Sequence, residues 1–123
     1  MHITGLIEVI LYVRDMARQV AFYRDMVGLE ITYPTGLADY SAENWVTFAS
    51  GACRLALHSG GQERLGADTP MLVFGVDDIH SAWQELRARG IQIGEVFSAA
   101  PGVWVAHAFD PEGNPIAIEQ QEK

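Results

Sequence analysis

Three side chains of this sequence, Glu8, His58 and Glu119, have the chemistry to bind a divalent cation or to move a proton. Imidazole and carboxylate groups together form many zinc sites. A carboxylate in an apolar site near a second carboxylate can instead have its pKa raised toward neutrality, which suits a general base. Either chemistry requires that the fold bring these residues to one face.

The three residues belong to an internal repeat with an offset of about sixty residues. The matching segments are VRDM at 13–16 with VDDI at 76–79, and LALH at 55–58 with IAIE at 116–119. By this match, His58 corresponds to Glu119. Glu8 corresponds to Met71, because each lies seven residues before the aspartate that aligns in its segment.

The composition indicates one globular domain with its own core, since 49% of the 123 residues are hydrophobic and 20% are charged. The formal net charge is −8 and the basic residues are scattered. This disfavours a nucleic-acid partner, because no basic patch could neutralise phosphates. No apolar run reaches the roughly 18 to 20 residues of a membrane span, and no secretory leader is evident. We therefore expect a cytoplasmic protein with no membrane partner, and the single cysteine, Cys53, fits a reducing compartment.

Hydrophobic periodicity and turn residues predict two modules, each with the order strand, helix and three strands. Asp15 caps the helix of module one (1–59), and Asp77 or Asp78 caps that of module two (71–123). The strands are predicted at 6–13, 29–34, 44–50 and 53–59, and then at 71–76, 91–97, 103–109 and 115–120. The segment 60–70 is the linker, and DPEGN at 110–114 predicts a tight hairpin turn.

The first strand is nearly all apolar, and its alternation separates two faces. The residues expected to pack on the helix are Ile7, Val9, Leu11 and Val13. The residues expected on the opposite face are Leu6, Glu8, Ile10 and Tyr12. Glu8 is therefore a single carboxylate among apolar and aromatic neighbours.

These features resemble the vicinal oxygen chelate superfamily, which contains glyoxalase I, extradiol dioxygenases, fosfomycin-resistance enzymes, methylmalonyl-CoA epimerase and the bleomycin-resistance proteins. The resemblance rests on the duplicated βαβββ module, on FY at 22–23 before GLE at 28–30, and on DPEGNP at 110–115 before a final strand. It covers essentially the whole chain. It implies an α+β fold in which two tandem βαβββ modules form a curved, cup-shaped mixed sheet with helices outside. It does not specify a reaction, since one scaffold can host many functions.

The resemblance also implies where metal-using relatives place their four ligands. The corresponding positions in this chain are Glu8, Ala56, Met71 and Ala117. Alanine has no donor atom and a thioether suits only soft ions, so we expect no metal cofactor.

A displaced metal site is the alternative. His58 and Glu119 lie two residues beyond the two alanines on the same face, so Glu8, His58 and Glu119 form a conceivable ligand set for a divalent metal ion. A shift of two residues moves a side chain by roughly 6 to 7 Å along a strand. Zinc donors all lie about 2 Å from the ion. His58 and Glu119 are displaced from the family-implied positions but Glu8 is not, which works against all three reaching one ion.

Aromatic residues suggest what such a face could bind. If Phe48 and Phe109 face the helices, Trp45 and Trp104 lie on the concave side. Flat rings in an acidic cup suit a planar or cationic ligand, because stacking and cation–π attraction strengthen once water is excluded. In the alternative, one or both tryptophans fill the core or a subunit interface.

Two classes of function follow. The first is metal-independent binding of a small aromatic or cationic molecule, as the bleomycin-resistance branch implies; its ligand-binding residues would be Glu8, Tyr12, Trp45, His58, Met71, Trp104 and Glu119. The second is a metal-dependent lyase, isomerase or dioxygenase acting on a vicinal-oxygen substrate. A third hypothesis keeps Glu8 as a general base without metal.

The charge and the family resemblance give two further expectations. Glu8 and Glu119 predict a negative cavity that favours cations, although Arg54 shares the face and could neutralise one carboxylate. The resemblance implies a homodimer, as for family members of this length. Symmetric pairing of two copies would also cover open sheet edges. We therefore expect a homodimer.

Overall fold

The structure is a computed structural model that describes residues 2, 8–59 and 70–122. The chain divides into two compact units, residues 1–64 and 65–123. Each unit contains one mixed four-stranded sheet and one helical segment in the order βαβββ. The predicted α+β class and the duplicated module are confirmed. The predicted linker, 60–70, lies outside the described residues except for Pro70.

The first unit contains a helix and four strands. They are β1 (Glu8–Tyr12), α1 (Met16–Ala21), β2 (Ile31–Tyr33), β3 (Trp45–Phe48) and β4 (Arg54–His58), and a π-helical turn, Phe22–Met26, continues α1. The strand order is β1-β4-β3-β2, with β1 parallel to β4 and the other pairs antiparallel. The part of the predicted first strand at residues 6 and 7 lies outside the described residues.

Helix α1 forms where the sequence predicts it. The carboxylate of Asp15 accepts a hydrogen bond from the backbone N–H of Arg18 at 3.1 Å, which satisfies one of the free donors at the helix start. The apolar side of the helix includes the fully buried Val20 and Tyr23, and the Tyr23 ring lies 6.2 Å from that of Phe48 on β3. This packing fixes which face of the first sheet is covered.

The second unit repeats the plan. Its elements are β5 (Leu72–Gly75), α2 (Ile79–Ala88), β6 (Phe97–Ala100), β7 (Val103–Phe109) and β8 (Pro115–Gln121). The strand order is β5-β8-β7-β6, and β5 runs parallel to β8. The prediction of a strand at 91–97 is wrong, because β6 begins only at Phe97. The preceding segment is instead held at Gly94, whose carbonyl accepts from the Trp83 indole at 2.8 Å and whose N–H donates to the His107 carbonyl at 2.8 Å.

Helix α2 covers one face of the second sheet. Asp78 caps it, with its carboxylate accepting from the N–H groups of His80 and Ser81 at 3.1 and 3.2 Å. Ile79 is fully buried and forms the centre of a core cluster with Ala106 and Ile118. The helix therefore leaves the opposite sheet face uncovered within this unit. In the part of the chain that the structure describes, no helix has the length and apolar character needed to cross a membrane.

The turn between β7 and β8 confirms the hairpin predicted at 110–114. Asp110 is 5% exposed, and its carboxylate accepts from the N–H of Glu112 at 2.9 Å and from the N–H and side-chain amide of Asn114 at 3.0 and 2.8 Å. Gly113 adopts φ +85°, a conformation that other residues rarely take. The turn thus sets the pairing of β7 with β8.

Replacing Asp110 with alanine is expected to lower the free energy of unfolding by about 2 to 3 kcal/mol, since buried donors lose a charged acceptor. Denaturant unfolding followed by circular dichroism measures the change. Asp39 is the matched control, because its carboxylate also accepts from the N–H and hydroxyl of a nearby residue, Ser41, but is exposed. Asp39→Ala should have a much smaller effect, and equal effects would contradict the role of burial.

Candidate functional site

The sheet face opposite α1, here called the open face of the first unit, is determined by the pairing of β1 with β4. Glu8 pairs with Arg54, Ile10 with Ala56, and Tyr12 with His58, so all six residues lie on one face. Ile10 is 40% exposed and Tyr12 is 48% exposed, whereas the intervening Leu11 is 5% exposed. The alternation predicted for the first strand is confirmed over these residues.

Three aromatic side chains meet at one end of this face. The Tyr12 and His58 ring centroids are 5.5 Å apart, and the Trp45 ring lies edge-on to His58 at 5.6 Å. Tyr12, His58 and Trp45 come from β1, β4 and β3, and we call them the ring cluster. These separations fall in the range of attractive ring contacts.

The place of Trp45 follows from the pairing of β3 with β4. Trp45 pairs with His58 and Thr47 with Ala56, so these residues share the open face. Phe48, one step out of phase, is fully buried on the helix side. The predicted faces of Trp45 and Phe48 are therefore confirmed.

The middle of the open face has a floor of small side chains. Ala56 is fully buried and Thr47 is 6% exposed. The Thr47 hydroxyl is 2.8 Å from the hydroxyl of Thr32 on β2, which satisfies its hydrogen bonding within the sheet. Because Ala56 and Thr47 are buried, the exposed apolar surface near the middle of this face belongs to Ile10 on β1, at 40% exposure.

An ion pair occupies the end of the face opposite the ring cluster. The Nε of Arg54 donates to Oε1 of Glu8 at 2.9 Å, and the side chains are 50% and 22% exposed. The negative potential expected from Glu8 is therefore offset by Arg54 at this end of the face. The role of Glu8 as a general base stays a prediction, since no second catalytic group contacts it in the described part of the chain.

The pairing of β1 with β4 also bears on the alternative metal site of Glu8, His58 and Glu119. Glu8 lies level with Arg54 and four residues from the level of His58, a distance of roughly 13 Å along the strands. Two side chains so separated do not meet at one ion. Among the described residues, no group of three or more His, Cys, Asp or Glu side chains is placed to hold a metal ion. The alternative set of Glu8, His58 and Glu119 is thus not assembled.

The family-implied ligand positions fit a metal no better. Ala56 and Ala117 are buried and carry no donor atom, and Met71 is 42% exposed just before β5. Only Glu8 has an oxygen donor, and one of its oxygens already accepts from Arg54. The residues present do not fit a hard divalent cation.

The open face of the second unit is organised differently. Gly75 pairs with Glu119 and His107 with Ala117, and the His107 ring lies 5.4 Å from that of Phe97. The Glu119 carboxylate accepts from the side-chain amide of Gln121 at 2.6 Å. A pocket of about 450 Å³ lies here, lined by Val73, Gly75, Val76, Asp77, Glu119 and Gln121. Sequence reasoning identified Glu119 but missed the space that Gly75 leaves beside it.

The concave placement of Trp104 is wrong, and the alternative, in which this tryptophan packs in the core, agrees with the structure. Trp104 packs on the α2 side, against the core cluster that contains Ala106 and Ile118. Phe109, which was expected to face the helix, is 66% exposed. The cause is register: Trp45 pairs with His58, but the residue that pairs with Glu119 is Val105. A displacement of one residue moves a side chain to the other face of a strand.

Comparisons with known proteins agree with this architecture. The family model described as the Glyoxalase/Bleomycin resistance protein/Dioxygenase superfamily matches residues 2–118. A comparison with curated proteins found no significant match.

Solved structures show the same fold at low sequence identity. A glyoxalase family protein from Bacillus anthracis is 22% identical, with a TM-score of 0.80 and coverage of 99% of this chain and 98% of that one. An antibiotic binding protein, TnmS3, from a Streptomyces strain is 23% identical, with a TM-score of 0.78 and 99% coverage of both chains. A lactoylglutathione lyase from Agrobacterium tumefaciens is 24% identical, with a TM-score of 0.72 and coverage of 95% and 93%.

Proposed function

The chain belongs to the Glyoxalase/Bleomycin resistance protein/Dioxygenase superfamily, and from this premise we propose that it binds a small aromatic molecule on the open face of its first unit without a metal ion. The observation that carries the proposal is the ring cluster of Tyr12, Trp45 and His58 at one end of that face. Rings with one exposed side attract a further ring by stacking and by removal of apolar surface from water.

The surroundings of the ring cluster support binding of a flat group. Tyr12 is 48% exposed, so its ring offers free surface, and Ile10 on the same face of β1 is 40% exposed. Structurally similar proteins include an antibiotic binding protein and a lyase, so the fold is compatible with binding as well as catalysis. Among the four family-implied ligand positions only Glu8 has an oxygen donor, which supports binding without a metal ion over metal-dependent catalysis.

The proposal predicts a preference for aromatic over aliphatic compounds. Naphthylhexanamide should bind the protein at least tenfold more tightly than dodecanamide in isothermal titration calorimetry, and Trp45→Leu should weaken the aromatic compound about tenfold through lost ring contact. Phe109→Leu is the control, since this ring is 66% exposed but lies in the second unit. Equal affinities for the two compounds, or a Trp45→Leu variant that binds normally, would refute the proposal.

Metal independence gives a second test. The four family-implied positions supply one carboxylate, two alanines and a methionine, so we expect no tightly held divalent ion. Elemental analysis of protein purified without chelator should find less than one equivalent of zinc, iron, manganese or nickel. A stoichiometric metal that disappears in Glu8→Ala would show that the expectation is wrong, whereas traces that survive this substitution would not.

The protein is further proposed to be a homodimer. The open face of the second unit carries Val73, Phe97 and Phe109 at 52%, 45% and 66% exposure. Each sheet also has outer strands, β1 and β2 in one and β5 and β6 in the other, which are paired on one side only within their own sheet. A second copy of the chain, related by a two-fold axis, would cover apolar surface and sheet edges together.

Light scattering at tens of micromolar is expected to give twice the chain mass of 13.5 kDa. Val73→Lys, which places a charge on the apolar face, should shift the mass toward that of one chain. A wild-type mass of one chain that does not change with concentration would contradict the dimer.

A further inference from the structure

We infer that the ligand of the first unit carries an anionic group, and that Arg54 binds this group at the end of the open face opposite the ring cluster. The inference rests on the proposed function and names the chemical class of its ligand. It reverses the expectation of a cationic ligand that the sequence alone suggests.

The first argument is the relative exposure of the two charges. Glu8 and Arg54 form an ion pair at 2.9 Å, in which the Glu8 side chain is 22% exposed and the Arg54 side chain is 50% exposed. A ligand that approaches this end therefore meets more of the arginine side chain than of the glutamate side chain. The carboxylate that predicted a cationic ligand is already engaged by a residue of the protein.

The second argument is the geometry of the guanidinium. Glu8 accepts from Nε only, and within the described residues this is the hydrogen bond that the Arg54 side chain makes. The two terminal NH₂ groups can form parallel hydrogen bonds to a carboxylate or phosphate. The contact at Nε restrains the side chain, which lowers the conformational entropy lost when an anion binds.

The third argument is spacing. Arg54 and His58 are the first and last residues of β4, and Ala56 lies between them on the same face. Their Cα atoms are roughly 13 Å apart along an extended strand. A ligand with a ring over Tyr12 and Trp45 would therefore reach Arg54 through a linker of several bonds, which would pass along the exposed side chain of Ile10. This geometry favours an elongated aromatic acid over a compact one.

The test compares three compounds that share a ring and a linker: naphthylhexanoate, naphthylhexanamide and naphthylhexylamine. Calorimetry at one ionic strength should rank their affinities as carboxylate, then amide, then amine, with at least tenfold between the first two. Arg54→Gln should abolish this preference while leaving the amide within about twofold of its wild-type affinity. Arg54→Lys keeps the charge but loses the planar fork, so it should retain only part of the preference.

Two further variants complete the test. Glu8→Gln keeps an oxygen that can accept from Nε of Arg54 and removes the competing negative charge, so the affinity for naphthylhexanoate should not fall. Arg89→Gln removes another arginine that pairs with a glutamate, Glu85 on α2, and should leave all three affinities unchanged.

The inference is overturned if wild-type protein binds the acid and the amide equally, or if the preference survives in Arg54→Gln. Either outcome leaves ring-dependent binding, and so the proposed function, intact. Failure of all three compounds to bind would overturn both.

Discussion

The pairing of β1 with β4 is the constraint on which the open face of the first unit depends. In this parallel pair Glu8 lies opposite Arg54 and Tyr12 opposite His58. A displacement of one residue would turn Glu8 and Tyr12 toward α1, which buries apolar side chains such as Val20. The free energy of burying the helix side therefore also fixes which charges and rings reach the other side. The composition of the face is a consequence of the core.

Much of the fold could be predicted because its signals are local. Asp15 and Asp78 cap the two helices, and the Asp110 turn forms where its residue types require it. The alternation of β1 gave the correct faces for Glu8, Ile10 and Tyr12, since a strand packed on a helix has a period of two. These elements depend on neighbours a few residues away in the sequence.

The failures arise where the structure depends on partners far away in the sequence. The pairing of β7 with β8 determines the side of the sheet on which Trp104 lies. The internal repeat does not predict this pairing to within one residue. The strand β6 begins only at Phe97, and Gly94 before it accepts a hydrogen bond from the Trp83 side chain, a contact that no local pattern indicates. The sequence indicates that Arg54 could neutralise a carboxylate on its face, whereas the distance between Arg54 and Glu8 and their exposure depend on the folded structure.

The two units show how one module can support different surfaces. At equivalent places on β4 and β8, the first has His58 beside aromatic rings and the second has Glu119 beside Gly75. Each unit has a buried alanine, Ala56 in the first and Ala117 in the second, at a position where metal-using relatives are implied to have a ligand.

An ion pair as exposed as that of Glu8 and Arg54 typically contributes only about 0 to 1 kcal/mol to stability. Its physical consequence therefore lies less in folding than in the orientation of a guanidinium on a chain whose formal net charge is −8. Because that net charge repels anions in general, only a local donor held in place can bind one, and Arg54 meets this condition.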